Sequence, residues 1–180
     1  MVEYIDNDPD LGADRFESVL YRQLESGLLE DALIAKSSQD AKRFWQIRDG
    51  IGELFQILGP VSNQDVSLPI AEIGLFAIDL EQLLKAKYPE ITILLWGHIG
   101  DNNMHVCAYT GLDEDKTKIS HDIMHLIGEY AGAISAEHGV GVLKRDYLTL
   151  SKSATEIALM KTLKHAMDPK AILNRGRVFD

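Results

Sequence analysis

The sequence ITILLWGHIGDNNMHVCAYT, residues 91–110, determines the expected fold. It contains two apolar stretches, at 91–96 and 104–110, that are separated by a short loop with two glycines. A loop this short joins neighbouring antiparallel strands, so the two stretches are predicted to form a hairpin. His98 ends the first strand and His105 lies just inside the second. The hairpin is therefore expected to direct both imidazoles toward one point.

Outside this hairpin, strand-like and helix-like segments alternate along the chain. The spacing of apolar residues predicts strands at 2–5, 31–35 and 65–68. Helical spacing, together with capping and proline signals, predicts helices at 11–26, 41–58, 69–88, 116–135, 143–150 and 154–167. This order indicates an α+β fold, in which an antiparallel sheet has its helices packed on one side.

The composition is that of a soluble globular domain of ordinary size. The 180 residues are 46% hydrophobic and 26% charged, and 18 basic against 28 acidic residues give a net charge of −10. Such a chain repels phosphate backbones and anionic lipids, so we expect neither nucleic acid nor a membrane surface as its partner. The acidic N-terminus has no targeting signal, and no transmembrane segment is predicted. A cytoplasmic location is expected. The alternative is that the full-length protein is peripheral to a membrane or lies in an organelle.

A second polar cluster lies at residues 135–141, SAEHGVG. Glu137 could add an oxygen ligand to the two hairpin imidazoles. His98, His105 and Glu137 would then form a His₂–carboxylate set, which suits a divalent transition metal that polarises a substrate oxygen. His138 would stay free to accept a proton. The alternative is a glycine-capped helix end that carries ordinary surface polar residues.

Other polar residues give weaker indications of chemistry. His121 and His125 are four residues apart on a predicted helix, but Asp122 breaks the His-Glu-x-x-His order, so we assign them to a solvated helix face. Arg48 could bind a carboxylate through both of its guanidinium nitrogens, or it could be an ordinary surface arginine. Cys107 is expected to be a small buried residue. The sequence has no phosphate-binding loop and no nucleophile elbow.

Taken together, the clusters resemble the C-terminal, substrate-side domain of FAD-linked 2-hydroxyacid oxidoreductases. This family includes D-lactate dehydrogenases, the glycolate oxidase flavin subunit and D-2-hydroxyglutarate dehydrogenases. Residues 97–105 are similar to the family pattern Gly-His-x-Gly-Asp-Gly-Asn-x-His. Residues 135–144 match Ser-x-Glu-His-Gly-x-Gly-x-x-Lys, and residues 167–179 resemble Leu-Asp-Pro-x-x-x-x-Asn-Pro-Gly-Lys-x-Phe.

The resemblance implies a ferredoxin-like cap domain over residues 1–180, with the N-terminal FAD-binding domain absent from this chain. The full-length protein would be an FAD-dependent dehydrogenase or oxidase that converts a D-2-hydroxy acid, such as D-lactate, to the 2-oxo acid. The isolated chain would be inactive. Its partners would be the small 2-hydroxy acid, the FAD-binding domain and, in a homodimer, a second copy.

The resemblance also implies roles for individual residues. His98, His105 and Glu137 would bind the divalent metal, either zinc or manganese or iron. His138 would be the catalytic base, and Arg48 would bind the substrate carboxylate. Asn174 matches the tail motif that lies near the flavin in relatives, so it would contact FAD.

This sequence departs from the family pattern at several positions. In the hydroxyglutarate branch, substrate-contacting Thr, Lys and Asn stand at the positions that are here Gly52, Asn63 and Cys107. Their loss removes donors for a second carboxylate and favours a monocarboxylic 2-hydroxy acid. At three further positions, Asn102 replaces the family's loop glycine, Arg175 its tail proline and Arg177 its tail lysine.

Two other classes of function remain open at this point. The chain could be a stand-alone, non-catalytic module that binds a metal or a ligand without a flavin domain. It could also be a hydrolase that uses the same metal. An FAD-binding domain in the same protein would favour the oxidoreductase, whereas metal-dependent activity without flavin would favour the hydrolase.

Overall fold

The computed structural model describes residues 1–179, excluding the side chains of residues 51, 54–56 and 99. The chain divides into two compact units, one covering Met1–Ile57 and the other starting at Leu58. Arg48 and Gly52 lie in the first unit, and all other predicted site residues lie in the second. The two units are described separately below.

The first unit is helical. Asp8 caps its first helix by accepting a hydrogen bond from the N–H of Leu11 at 3.1 Å, and Ser37 caps the second through the N–H of Asp40, also at 3.1 Å. These caps satisfy N–H groups that have no partner within the helix, which explains why both helices begin where they do. The helices of this part of the chain are α1 (Pro9–Glu25), α2 (Ser38–Asp49) and α3 (Ile51–Leu58).

Three predictions for the first unit are corrected. The predicted strands at 2–5 and 31–35 do not form, because neither segment has a neighbouring strand to satisfy its backbone groups. The single helix predicted at 41–58 is interrupted at Gly50, a residue that weakens helices, and becomes α2 and α3. Of its predicted apolar face, Ile47 is 77% exposed, and the side chains of residues 51 and 54 lie outside the described part.

The second unit confirms the predicted α+β class. In its sheet β3 lies between β1 and β2 and is antiparallel to both. The predicted hairpin is confirmed as β2 and β3, joined by a 3-10 turn at Ile99–Asp101. The elements are β1 (Ser62–Ser67), α4 (Ile73–Lys87), β2 (Thr92–Trp96), β3 (Asn103–Tyr109), α5 (Asp113–Glu129), α6 (Leu148–Ser151) and α7 (Ala154–Met167).

The strand order is that of a ferredoxin-like sheet with a reduced fourth strand. β1 and β2 are joined by α4 and have β3 inserted between them, which is a split β-α-β arrangement. After α5 the chain returns to the free edge of β1 and makes one antiparallel bridge there, between Ser67 and Ala133. The N–H of Ser67 donates to Ala133 at 3.1 Å, and the N–H of Ala133 donates to Ser67 at 2.8 Å.

The two faces of the sheet have different environments. Successive side chains of a strand point to opposite faces, so Val66, Met104 and Val106 share one face. They are buried in one apolar core with the inward residues of α4 and α5, which include Phe76, Leu80, Leu84, Ile119, Ile123 and Ile127. Asp65 and His105 therefore lie on the other face.

Several helix ends differ from the predicted ones. The helix predicted from residue 69 begins at Ile73, and the helix predicted at 116–135 is α5, which ends at Glu129. The helix predicted at 143–150 is a 3-10 turn at Arg145–Tyr147 followed by α6. Within residues 1–179, no helix is both long and apolar enough to cross a membrane.

Gly132 is predicted to be essential for the bridge to β1. A Cβ atom at this position would lie 2.8 Å from the Ser67 carbonyl oxygen and 2.9 Å from the side chain of Ile127. Gly132→Ala should therefore lower the free energy of unfolding by about 1–3 kcal/mol, because the backbone must shift. Urea unfolding of the chain measures this difference.

Gly74→Ala is the matched control, because Gly74 lies in α4 with open space around its would-be Cβ. It should leave stability unchanged or raise it by up to about 1 kcal/mol, since alanine favours helices. Equal stabilities of the two variants would contradict the steric role of Gly132.

Candidate functional site

A row of three side chains crosses the face of the sheet that α4 and α5 leave open. Asp65 of β1 pairs with His105 of β3, and Trp96 of β2 pairs with the same histidine from the other side. The Trp96 and His105 rings are stacked, with centroids 5.5 Å apart and planes 18° from parallel. The sheet register therefore places a carboxylate, an imidazole and an indole side by side.

Asp65 fixes the position of the Glu137–His138 pair. Its side chain is only 1% exposed. The carboxylate accepts hydrogen bonds from the Ser135 hydroxyl at 2.9 Å and from the N–H groups of Glu137 at 2.8 Å and His138 at 3.0 Å. Lys144 donates to the Asp65 carbonyl oxygen at 2.9 Å, and its Nζ lies 3.5 Å from the carboxylate. These contacts hold the loop that follows α5 against β1.

The same contacts keep Asp65 ionised. Burial by itself raises the pKa of Asp65, but the N–H groups of His138 and Glu137, the Ser135 hydroxyl and the charge of Lys144 lower it to about 2. Burial lowers the pKa of Lys144, although Asp65 acts in the opposite direction. The site therefore contains a buried carboxylate whose charge is matched by hydrogen-bond donors and by a nearby lysine.

The imidazoles of His105 and His138 face one another beside this carboxylate. Their ring centroids are 5.7 Å apart, and Nδ1 of His138 lies 3.8 Å from the Asp65 carboxylate. Burial lowers the pKa of His105 more than Glu137 and Asp65 raise it, so this ring is neutral at pH 7. His98, in the loop after β2, is close enough to lower that pKa further. The His138 ring is 59% exposed and accessible to a ligand.

Asn103 connects the hairpin to Glu137. Its side-chain amide donates a hydrogen bond to the Glu137 carboxylate. Its Oδ1 is buried and has no hydrogen-bond partner among the residues that the structure describes. A buried acceptor without a donor is unfavourable, so this atom is an energetic cost within the site.

The predicted metal ligands are close together but do not form a ready metal site. Over residues 1–179, no three His, Cys, Asp or Glu side chains form a group that could hold a metal ion as they lie. Glu137 is already engaged by Asn103. The residue types suit a transition metal, yet their present arrangement does not fit one. The assignment of His98, His105 and Glu137 as ligands therefore stays a prediction.

Arg48 lies on α2 of the first unit. Its Nη1 is 3.1 Å from Asp49, and its guanidinium lies over the Trp45 ring at 5.8 Å from the ring centroid. These contacts orient the side chain within its own unit. The predicted role of Arg48 in binding a substrate carboxylate stays a prediction.

Asn174 lines a cavity of about 780 Å³ between α7 and the C-terminal tail. Asp168 shapes the tail, because its carboxylate accepts from the N–H groups of Ile172 at 3.1 Å and Leu173 at 2.9 Å. Hydrogen bonds from Lys164 and from these N–H groups lower the pKa of Asp168 to about 2. The cavity is rich in cationic side chains, namely Lys161, Lys164, Lys170, Arg175 and Arg177. The predicted contact of Asn174 with FAD stays a prediction.

Sequence reasoning assigned no role to four residues that build this site, namely Asp65, Trp96, Asn103 and Lys144. Asp65 carried a recognisable signal, because an acidic residue within an alternating strand must either face solvent or find buried donors. The pairing of Lys144 with Asp65 gave no comparable signal, since the two residues are 79 positions apart. The buried oxygen of Asn103, which has no partner in the described part of the chain, can be recognised only in three dimensions.

Asp65→Ala should lower the free energy of unfolding by about 3–5 kcal/mol, because it leaves the buried Lys144 without its charged partner. Asp146→Ala removes a carboxylate whose side chain is 82% exposed, and it should change stability by less than about 0.5 kcal/mol. Denaturant unfolding of the chain measures both values. A loss for Asp65→Ala no greater than that of the control would refute this role.

A double-mutant cycle with Lys144→Met separates the pair from the remaining contacts of Asp65. Removing both charges should cost less than the sum of the two single losses, because neither charge is then left alone in the interior. Strictly additive losses would show that the two residues are not coupled.

Comparison with known proteins identifies the family. Residues 1–178 match the family described as FAD linked oxidases, C-terminal domain. A D-2-hydroxyglutarate dehydrogenase of Xanthomonas citri pv. viticola is 34% identical over 167 residues, which cover 87% of this chain and 34% of that protein. The mitochondrial D-2-hydroxyglutarate dehydrogenase of Arabidopsis thaliana is 36% identical over 180 residues, or 99% of this chain and 32% of that protein.

A Schizosaccharomyces pombe protein with a provisional name as a mitochondrial D-lactate dehydrogenase is 32% identical over 161 residues, or 83% of this chain and 31% of that protein. The chain spans about a third of the length of the curated relatives it matches. Both the match to the family and the α+β fold with its Glu137–His138 segment agree with the resemblance seen in the sequence. The chain belongs to the family of FAD-linked oxidase C-terminal domains.

Proposed function

We propose that this chain is the substrate-side part of an FAD-dependent enzyme that oxidises a D-2-hydroxy acid to the 2-oxo acid. The observation that carries the proposal is His138, held beside a neutral His105 by the buried carboxylate of Asp65. Relatives named D-2-hydroxyglutarate dehydrogenase and D-lactate dehydrogenase support this class of reaction.

His138 is suited to accept the substrate hydroxyl proton. The Asp65 carboxylate lies 3.8 Å from Nδ1 of His138, and its negative charge favours the tautomer with a proton on that nitrogen. Nε2 is then left with a lone pair to take the hydroxyl proton. FAD, bound mainly by another domain, would supply the hydride acceptor.

The remaining polar groups would orient the substrate. The buried Oδ1 of Asn103 has no partner among the described residues, and it would contact the substrate only after the loop around it moves. Trp96 provides a flat apolar wall against which the neutral His105 ring is held. Arg48 is proposed to pair with the substrate carboxylate, because a guanidinium can bind both of its oxygens.

We also propose that His98, His105 and Glu137 bind a divalent metal, either zinc or manganese or iron. Two imidazoles and one carboxylate are a ligand set that these metals accept, and a low pKa keeps His105 in the neutral form that binds metals. The side chains must rearrange for this, since Glu137 is hydrogen-bonded to Asn103. No part of the proton transfer above depends on the metal.

The substrate is proposed to be monocarboxylic. Asn63 lies opposite Cys107 in the sheet, next to the Asp65–His105 pair and on the same face. Burial raises the pKa of Cys107 to about 11, so its thiol is uncharged. This pair therefore offers no positive charge to a second carboxylate.

Other features of the full-length protein remain proposals. The tail cavity with its cationic lining supports a contact between Asn174 and FAD, and the flavin domain is the expected partner. A homodimer and a cytoplasmic location are proposed from the sequence alone. Some relatives are named as mitochondrial proteins. The non-catalytic module stays the alternative, with no feature of the comparisons in its favour.

The roles of the two facing imidazoles can be separated in flavin-loaded protein that contains this chain. His138→Ala should lower turnover by a factor of about 10²–10⁴, because the proton acceptor is lost, and should leave metal content unchanged. His105→Ala should reduce metal content, as measured by elemental analysis. Leu159→Ala, at an exposed position on α7 outside the tail cavity, is the control for both measurements. Equal metal loss in the His138 and His105 variants would refute this division of roles, and undiminished turnover of His138→Ala would refute the base.

Substrate class can be tested with Asn63→Lys in the same protein. The parent should have a higher kcat/KM for D-lactate than for D-2-hydroxyglutarate, and the new lysine should shift the ratio toward the dicarboxylate by about tenfold or more through a charge-assisted contact. Asn63→Gln keeps the position neutral and should leave the ratio unchanged. A parent that prefers D-2-hydroxyglutarate would overturn the proposed substrate class but not the reaction.

A further inference from the structure

A second pair of histidines lies on α5, outside the site described above. His121 and His125 are one helical turn apart, and their ring centroids are 4.2 Å from one another with the planes tilted by 40°. Both side chains are exposed. The Tyr147 ring approaches both of them edge-on, with centroid distances of 6.1 and 6.3 Å.

We propose that His121 and His125 form a two-ligand site for a divalent transition metal such as Zn²⁺. Zinc–nitrogen bonds are about 2.0–2.1 Å long, so two ring nitrogens on one ion stand roughly 3–4 Å apart. Rings with centroids 4.2 Å apart can meet this requirement by small rotations. Histidines at positions i and i+4 of one helix are also the spacing by which helical zinc sites place two imidazoles on one ion.

The helix itself holds the two ligands at the correct spacing. α5 runs from Asp113 to Glu129 and buries one side in the core through Ile119, Ile123, Met124, Leu126 and Ile127. Its backbone is therefore fixed by packing before any ion arrives. Preorganisation of this kind lets the second imidazole bind at a high effective concentration once the first has bound.

The neighbouring carboxylate is not available as a third ligand. Asp122 accepts a hydrogen bond from Lys87 at 2.6 Å and another from Tyr88 at 3.2 Å. Its Oδ1 lies 3.9 Å from Nδ1 of His121, beyond hydrogen-bonding distance. The ion would consequently keep open positions for water or for another ligand.

This site is separate from the candidate functional site around Asp65 and His105. α5 packs on the core side of the sheet, where Ser120 is hydrogen-bonded to Ser62 and Gln64 of β1. Asp65 and His105 lie on the opposite face. Metal binding at α5 is therefore independent of the proposed oxidation of a hydroxy acid, and the two can be tested in different variants.

The test is isothermal titration of the 180-residue chain with Zn²⁺ alone, together with thermal unfolding in the presence of excess Zn²⁺. To silence the other candidate site, the titration is repeated in a His105→Ala/Glu137→Ala background. In that background we expect one equivalent of Zn²⁺ to bind and to raise Tm, because the ion binds the folded helix. The parent should take up this ion and a second one at His98, His105 and Glu137. Adding His121→Ala or His125→Ala to the background should weaken the binding roughly tenfold or more and remove the rise in Tm.

His165→Ala is the matched control, since it removes an exposed helical histidine without the i+4 partner, and it should bind Zn²⁺ as the parent does. Circular dichroism confirms that each variant is folded, which is expected because both α5 histidines are exposed. Unchanged affinity in His121→Ala and His125→Ala would overturn the inference. Loss of all Zn²⁺ binding in the His105→Ala/Glu137→Ala background would also overturn it, and would instead support a metal at His98, His105 and Glu137.

Discussion

The buried carboxylate of Asp65 is the constraint on which the candidate site depends. Removing a carboxylate from water costs several kcal/mol, and here the cost is offset by two backbone N–H groups, a hydroxyl and the nearby Lys144. These donors come from residues that follow α5, so the loop cannot move away without leaving the charge unsatisfied. The position of His138 is thus set by the interior of β1 rather than by the loop's own conformation.

The sheet can support such a site because its two faces serve different purposes. Val66 and Asp65 are neighbours in sequence, yet one packs into the apolar core and the other faces the imidazoles. β3 is the central strand and is hydrogen-bonded on both sides, so the backbone that carries His105 is firmly placed. A shift of register by one residue would exchange the two faces, burying His105 in the core and exposing Val106.

The sequence was sufficient to predict the elements that local rules govern. The hairpin followed from two apolar stretches and a short loop, and capping and proline signals predicted the first helix from residue 11, close to the start of α1 at Pro9. Segments 2–5 and 31–35 were misjudged because a strand depends on a partner that no local pattern reveals. The same limit applies to the site, where the Glu-His pair could be recognised but its hydrogen bonds to the distant Asp65 carboxylate could not.

The segment from Glu137 to Arg145 connects the site around Asp65 with the C-terminal tail that carries Asn174. Its beginning holds His138 against Asp65, and further on the Gly141 carbonyl oxygen accepts the N–H of Val178 at 2.8 Å. Arg145 adds a hydrogen bond to the Gly176 carbonyl oxygen at 3.2 Å. The tail that carries Asn174 is therefore hydrogen-bonded to the same loop that carries His138. Because both ends of this connection are hydrogen-bonded backbone, a displacement of the tail must strain the loop, and the geometry of His138 depends on the tail as well as on β1.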